Sequence, residues 1–311
     1  MSEHIQFEIT ENSYSEYIGE RIDKCIGNLL TDTSRSYIQK LLKDGNILVN
    51  QKTVKASYKL QSDDVILVAL PAAMLPDIEP ENIPITILYE DDDLLIVNKP
   101  KGMVVHPAPG HYSGTLVNAL LYHCQGNLSG INGVMRPGIV HRIDKDTTGS
   151  LLVCKNDFTH QQMAQQLKDH SISRKYQAIV YGMVKDETGT VNIPIGRHPQ
   201  DRKKMSVHAV HGKEAVTHYT VLRRFEKYTH IECRLETGRT HQIRVHMAAM
   251  GYPVLGDQVY SNRPCPFSLT GQTLHAEELS FEHPRTGEYI TTHAPLPEYF
   301  AKLLKIMGSN F

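Results

Sequence analysis

The run HRIDKDTTGSLLVCKN, residues 141–156, decides how the larger part of the chain is read. It passes from charged and turn-forming residues into the apolar stretch LLVC. That second half reads as a buried strand, and GIVHRID, residues 138–144, reads as a strand leading into it through a polar turn. On an extended segment, side chains two apart leave the same face, so Arg142 and Asp144 are expected to point together. A neighbouring cation favours the ionised carboxylate, which suits a nucleophile better than a proton donor. The plain alternative is a structural ion pair in a turn, since Asp, Thr and Gly are ordinary turn residues.

Working outward, the spacing predicts a strand at LLIVNKP ending at Pro100 and a helix at GTLVNALLYH. Further on it predicts a helix at FTHQQMAQQLKDH and strands at RKYQAIVYG, AVTHYTVLRRF and THIECRLET. Strands interspersed with helices give an α+β class, a mixed and mainly antiparallel sheet with flanking helices. Two more polar clusters stand beside the first. NKPKGMVVHPAPG, residues 98–110, is punctuated by Pro and Gly and reads as a shaped loop. LETGRTHQIRVHMAAMGYPVLGDQVY, residues 235–260, carries Arg239 ahead of a helix that Thr240 would cap and Gly251 would end. His241 and Arg244 are three apart and share a face of that helix, where they can present donors to a phosphate or a carboxylate. Its apolar residues Ile243, Val245 and Met247 define no single stripe.

The first part of the chain has its own pattern. Ile18, Ile22 and Ile26 recur at helical spacing, and Thr33 or Ser34 can cap a second helix bearing Ile38, Leu41 and Leu42. Gly45 stops it, and ILVN and VILVAL read as short strands. Between residues 35 and 59, Arg35, Lys40, Lys43, Lys52, Lys55 and Lys59 face only Asp44. A basic helix followed by a hairpin suits the phosphate backbone of folded RNA; a solvated charged face is the plain alternative. Pro71, Pro76, Pro80 and Pro84 then mark an acidic, semi-extended linker. The expected division is residues 15–75, a linker at 76–84, and residues 85–311.

The total composition excludes several classes. Net charge is −1, so basic surface is local rather than general. No run approaches the roughly 18 apolar residues of a membrane span, and the N-terminus lacks a signal-peptide pattern, so a cytoplasmic protein is expected. The five cysteines form no CxxC pair, and the 17 histidines form no HExxH. Reduced thiols and no metal are the expectation. Neither a GxGxxG nor a GxxxxGK[ST] loop is present.

Residues 20–70 resemble the S4 RNA-binding domain in RIDKCIGNLL, SRSYIQKLLKDGNILVNQKTV and DDVILV. That resemblance implies RNA contacts through Arg35, Ser36, Lys40 and Lys43, with Asn50 and Val54 as hairpin residues. Residues 85–300 resemble the RluA family of pseudouridine synthases, in the ordered motifs NKPxGxxxHP, HRIDKDTTG, KYQAIVYG and TGRTHQIRVHM. Residues 196–219 are similar to the large-subunit ribosomal RNA group of that family. The resemblance implies a fold with a small S4 domain before a catalytic domain, and isomerisation of uridine in RNA without a cofactor. It implies a catalytic Asp144, an active-site Tyr176, an Arg244 paired with Asp144, and an Arg142 that fills the space of a flipped base. Arg239 and His241 are expected at the RNA surface. It further implies 23S ribosomal RNA, helix 69, as partner and a monomer that needs neither membrane nor metal. Two readings stay open beside it: the same reaction on tRNA or another rRNA site, and a non-catalytic RNA-binding assembly factor.

Overall fold

The computed structural model of the chain describes residues 3–30, 35–70, 78–108, 111–133, 136–201 and 204–309. Two compact units form, Met1–Pro76 and Asp77–Phe311.

In the first unit, strand β1 (Glu3–Ile9) precedes helices α1 (Ile22–Leu29) and α2 (Arg35–Lys43). Strands β2 (Ile47–Val49), β3 (Lys52–Thr53) and β4 (Asp64–Leu70) follow. The sheet order is β1-β4-β2-β3, antiparallel throughout. β4 alternates, with Ile66 and Val68 turned into a core shared with Ile22, Ile26, Ile38 and Leu41. Ile18 lies outside α1 and is exposed. Its place in the helical spacing is coincidental, because the extended backbone at Arg21 starts the helix only at Ile22. The expected caps Thr33 and Ser34 lie outside the described residues. β2 and β3 join through Asn50 and Gln51, both at positive φ, the arrangement of a type I′ hairpin turn. The Asn50 side chain donates to Asp64 and accepts the Val65 N–H, which fixes the turn against β4.

The second unit holds β5 (Thr86–Glu90), β6 (Leu94–Lys99), α3 (Leu116–His123), β7 (Thr148–Cys154), α4 (Asp157–Lys168) and β8 (Ser173–Tyr181). β9 (Thr188–Asn192), β10 (Gly196–Arg197), β11 (Met205–Ser206), β12 (Val216–Arg224) and β13 (Tyr228–Leu235) continue it. α5 (Gln242–Ala249), β14 (Leu274–Glu282), β15 (Tyr289–His293) and α6 (Glu298–Gly308) complete it. Nine strands form one sheet in the order β5-β6-β7-β14-β8-β13-β12-β9, with β15 on β14. Only β7 and β14 pair in parallel. The alternation of strand residues sorts the helices. Leu95, Val97, Ala178 and Val180 meet α3 and α5 on one face. Leu94, Ile96 and Leu152 meet Met163 of α4 on the other, where Ile179 and Tyr181 meet Phe300 and Leu303 of α6. Residues 78–84 run without regular structure beside α3, whose Asn118 side chain donates to the Glu79 carbonyl.

Residues 138–144 are not a strand. They touch β7 through one bridge, Ile139 to Val153. Past it, the Leu152 N–H is taken by His141 Nε2 at 3.0 Å, so a side chain stands where a backbone carbonyl would continue the ladder. The chain is thereby released into the turn that holds Asp144, whose carbonyl accepts the Thr147 N–H. Gly149 closes that turn at φ +108, and a Cβ there would sit 2.1 Å from the Ala276 carbonyl oxygen of β14. The close parallel approach of β7 to β14 therefore requires glycine. Gly149→Ala is expected to lower unfolding free energy by on the order of 3 kcal/mol, measured by urea denaturation; a loss under about 1 kcal/mol would show that the strands can part without cost.

Candidate active site

Arg244 organises the site. It lies in α5, which is buried on every side from Gln242 to Met247. This is why the helix shows no apolar stripe: its polar members Gln242, Arg244 and His246 are buried with partners of their own. Thr240 is not the cap. His241 occupies that position in a left-handed conformation without a capping bond. The Gln242 side chain instead accepts the Arg239 N–H and the Thr237 hydroxyl, and donates to the Val216 carbonyl. One glutamine thus ties the start of α5 to β12. Gly251 follows the helix as expected, with Tyr252 N–H on the Met247 carbonyl.

From this fixed helix Arg244 Nε and Nη2 donate to Asp257 Oδ2 at 2.6 Å and Oδ1 at 3.0 Å. Its Nη1 donates to Asp144 Oδ2 at 2.9 Å. Asp257 is fully buried and also accepts the N–H groups of Val259 and Tyr260. Burial works against the guanidinium charge. The Asp257 hydrogen bonds and the nearby Asp144 and Asp257 charges outweigh it and raise the Arg244 pKa. Asp144 stays about one-fifth exposed, with its Oδ1 3.7 Å from His241 Nε2. Tyr260 Oη accepts the Met205 N–H and lies 2.8 Å from His241 Nδ1. If the phenol gives its own proton to Nδ1, the His241 Nε2–H faces Asp144. Burial lowers the His241 pKa, opposed by Asp144, so this imidazole is neutral at physiological pH.

These groups open on a cavity of about 470 Å³. Tyr176, on β8, lines it and is 7% exposed. Burial, opposed by the Arg174 charge and aided by Asp144, raises its pKa and keeps the phenol protonated. Arg142 lines the cavity too. Its side chain is exposed and makes no hydrogen bond or ion pair among the described residues. Arg142 and Asp144 thus share a face as expected, but the expected extended strand beneath them is a turn, and the ion pair runs to Arg244. Arg239 is held by the Glu214 carbonyl. Five cations, Arg142, Lys168, Arg174, Arg239 and Arg244, line the space against one carboxylate, Asp144.

Beneath the Asp144 turn lies Lys99. It is fully buried, and its Nζ donates at 2.9 Å to each of the carbonyls of Pro100, Met103 and Lys145. Burial pushes its pKa down to about 7 against the pull of Asp146 and Asp144. Lys99 joins the 98–110 loop to the residue after Asp144. Among the described residues, the one group able to chelate a metal is Asp91, Asp93 and His283. None of the three lines the cavity, and their oxygens already accept from Tyr89, Asn156 and Arg285.

In the first unit, Arg35 donates to Asp23 of α1, as do Arg21 and Gln39. The Arg21 hydrogen bond leads in holding the Asp23 carboxyl well below its usual range. Arg35 thus clamps α2 to α1 while its side chain stays half exposed. Ser36, Lys40 and Lys43 are exposed along α2.

A profile of the RNA pseudouridylate synthase family matches residues 93–249, and one of the S4 domain matches residues 20–66. An uncharacterized RNA pseudouridine synthase of Bacillus subtilis is 51% identical over 98% of this chain and 99% of its own length. The chain belongs to the RNA pseudouridylate synthase family. The ribosomal large subunit pseudouridine synthase D of Zymomonas mobilis is 45% identical over 94% of this chain and 95% of its own. Human RNA pseudouridylate synthase domain containing 4 has the same fold, with a TM-score of 0.57 at 25% identity, covering 72% of this chain and 93% of that one. The synthase therefore works on RNA, and the cation-rich cavity around one carboxylate is consistent with that substrate.

The sequence reading left out Asp257, Tyr260, Lys99 and Arg174. Asp257 and Tyr260 stand in the quoted run LGDQVY, but nothing in their spacing ties them to Arg244; the tie is made by the turn after α5. Asp257→Asn places an amide against the guanidinium. It is expected to cost about 3 kcal/mol of stability and about 100-fold in turnover through misplacement of Arg244. Denaturation and single-turnover kinetics measure the two, and unchanged turnover would show that Arg244 needs no brace.

Proposed function

We propose that the chain isomerises uridines of large-subunit (23S) ribosomal RNA, in helix 69, acting as a monomer through Asp144. The observation that carries this reading is the single carboxylate of the cavity, fixed by Arg244 and set among cations. The rRNA assignment is supported by the relatives whose names specify the large subunit, at 40–45% identity over at least 94% of this chain.

A stacked uridine cannot reach Asp144, so the nucleotide must be extruded, at a cost of a few kcal/mol. Arg142, which no hydrogen bond or ion pair holds among the described residues, is suited to enter the vacancy and offset part of that cost. The uracil then lies against Tyr176, and the ribose C1′ and C2′ come to Asp144. Asp144 either attacks C1′ or takes a proton from C2′; in both cases the N1–C1′ bond breaks. The base turns and C5 bonds to C1′, displacing Asp144 from C1′ in the first route or with Asp144 returning the proton to C2′ in the second; the C5 proton then leaves and N1 gains one, so the product is an isomer and no electrons are exchanged. Burial keeps the Tyr176 phenol protonated. For it to accept the C5 proton it must pass its own proton on, and Asp144 is the carboxylate in the cavity that can receive it. Arg244 supplies the counter-charge through these steps, which suits a carboxylate whose charge must come and go.

Exposed Lys40 and Lys43 of α2 fit a phosphate backbone, while Arg35 serves first to hold α2 on Asp23. The test is direct. Purified enzyme is incubated with a 23S rRNA transcript, and pseudouridines are mapped by carbodiimide-dependent reverse-transcription stops. New stops confined to helix 69 are expected. Stops elsewhere in the rRNA, or only on tRNA, would overturn the substrate assignment and leave the chemistry.

A further inference from the structure

Two buried guanidinium groups line the same cavity, and they differ in one respect. Arg244 is 5% exposed and is flanked by two carboxylates. Arg174, on β8 two residues before Tyr176, is 6% exposed, and no carboxylate lies within 4.0 Å of it among the described residues. Its Nη2 donates to the Glu236 carbonyl at 3.1 Å, and its Nε has no hydrogen-bond partner among the described residues. A buried cation without a counter-charge costs several kcal/mol, and such a cost persists only where something offsets it. Burial, opposed by Tyr176 and aided by Arg239, lowers the Arg174 pKa, the reverse of the Arg244 case.

The surroundings say what offsets it. The chain at Gly238 passes directly over the guanidinium, so close that a Cβ there would meet Nη1 at 2.6 Å. Arg239 follows at once, and Lys168 lines the same cavity. These three cations line a cavity whose one carboxylate, Asp144, is already bonded to Arg244. A nucleotide whose ribose C1′ reaches Asp144 carries a phosphodiester on each side, and these anions must run along the cavity walls. The geometry points to Arg174, with Arg239 and Lys168, as a subsite for one phosphodiester flanking the target uridine, Arg174 gaining its missing counter-charge only when RNA is bound. This rests on the RNA-isomerase reading above and adds a binding residue to it. A carbonyl-paired arginine that is filled by substrate favours the bound state over the free one, since the free enzyme bears an uncompensated buried charge.

The test uses the full-length enzyme and an RNA stem-loop carrying the target uridine, with either flanking phosphodiester replaced singly by a neutral methylphosphonate. For the wild type, one of the two replacements is expected to weaken binding about tenfold. Arg174→Gln is expected to weaken binding of the unmodified RNA by a similar factor and to be indifferent to that same replacement. The slope of log affinity against log salt should fall by about 0.7 for the lost contact to a single strand. If the losses from the variant and the replacement multiply at both linkages, Arg174 touches no phosphate and the proposal fails. Should Arg174→Gln fail to fold, Arg174→Lys is read instead: it keeps the charge, so sensitivity to the same linkage must persist at reduced size, and its equality with wild type at both linkages would overturn the proposal. Failure of the wild type to convert the unmodified RNA would instead sink the activity on which the subsite depends.

Discussion

A guanidinium held between two carboxylates is the constraint on which the catalytic unit depends. Arg244 is nearly out of water, where an unpaired charge is costly. Asp257 takes two of its donors in a bidentate pair that sets the plane of the fork, and the remaining nitrogen can then point only at Asp144. Lysine could not reproduce this, because a point charge on a flexible stem specifies no plane. Fixing that plane draws in much of the fold: Gln242 to anchor α5, the turn at Asp257 to return under it, and Tyr260 to seat His241 against the far oxygen of Asp144. Asp144 is thus the least buried member of a chain of charges whose other members, Arg244 and Asp257, are closed to solvent.

The sheet supplies the second half of the positioning. β7 is a fully buried central strand, and the Asp144 turn hangs from its start. Three contacts of different kinds hold that turn: the His141 imidazole on the Leu152 amide, the Lys99 ammonium under the Lys145 carbonyl, and the bare glycine that lets β14 approach. The motif residues around Asp144 are in this sense scaffold. Asp144 and Arg142 of the run 141–149 both line the cavity.

The sequence made much of this legible, and for identifiable reasons. Apolar runs located β6 and β7, which are buried on both faces, and alternation located β8, β12 and β13. Asp144 and Arg244 were reached through motif resemblance, and their mutual bond at 2.9 Å spans a separation of 100 residues that no local pattern encodes. GIVHRID was misread as a strand because its composition is that of one; the competing hydrogen bond from His141 appears only in three dimensions. Thr240 was misread as a cap because a threonine before a helix usually is one, whereas here Gln242 does that work from inside the helix. Asp257 was missed since an aspartate after a glycine in LGDQVY looks like any turn residue. Ile18 matched a helical period by chance, one turn before the chain becomes helical.

We propose that the Asp144 carboxylate acts on the ribose and that Arg244 and Asp257 place and balance it. Asp144→Asn keeps the shape of the side chain and removes the carboxylate, and its single-turnover rate on saturating RNA measures that claim most directly. No pseudouridine should form, while affinity for the RNA stays within several-fold of wild type. Turnover within about tenfold of wild type would contradict the claim and move the chemistry to another group in the cavity.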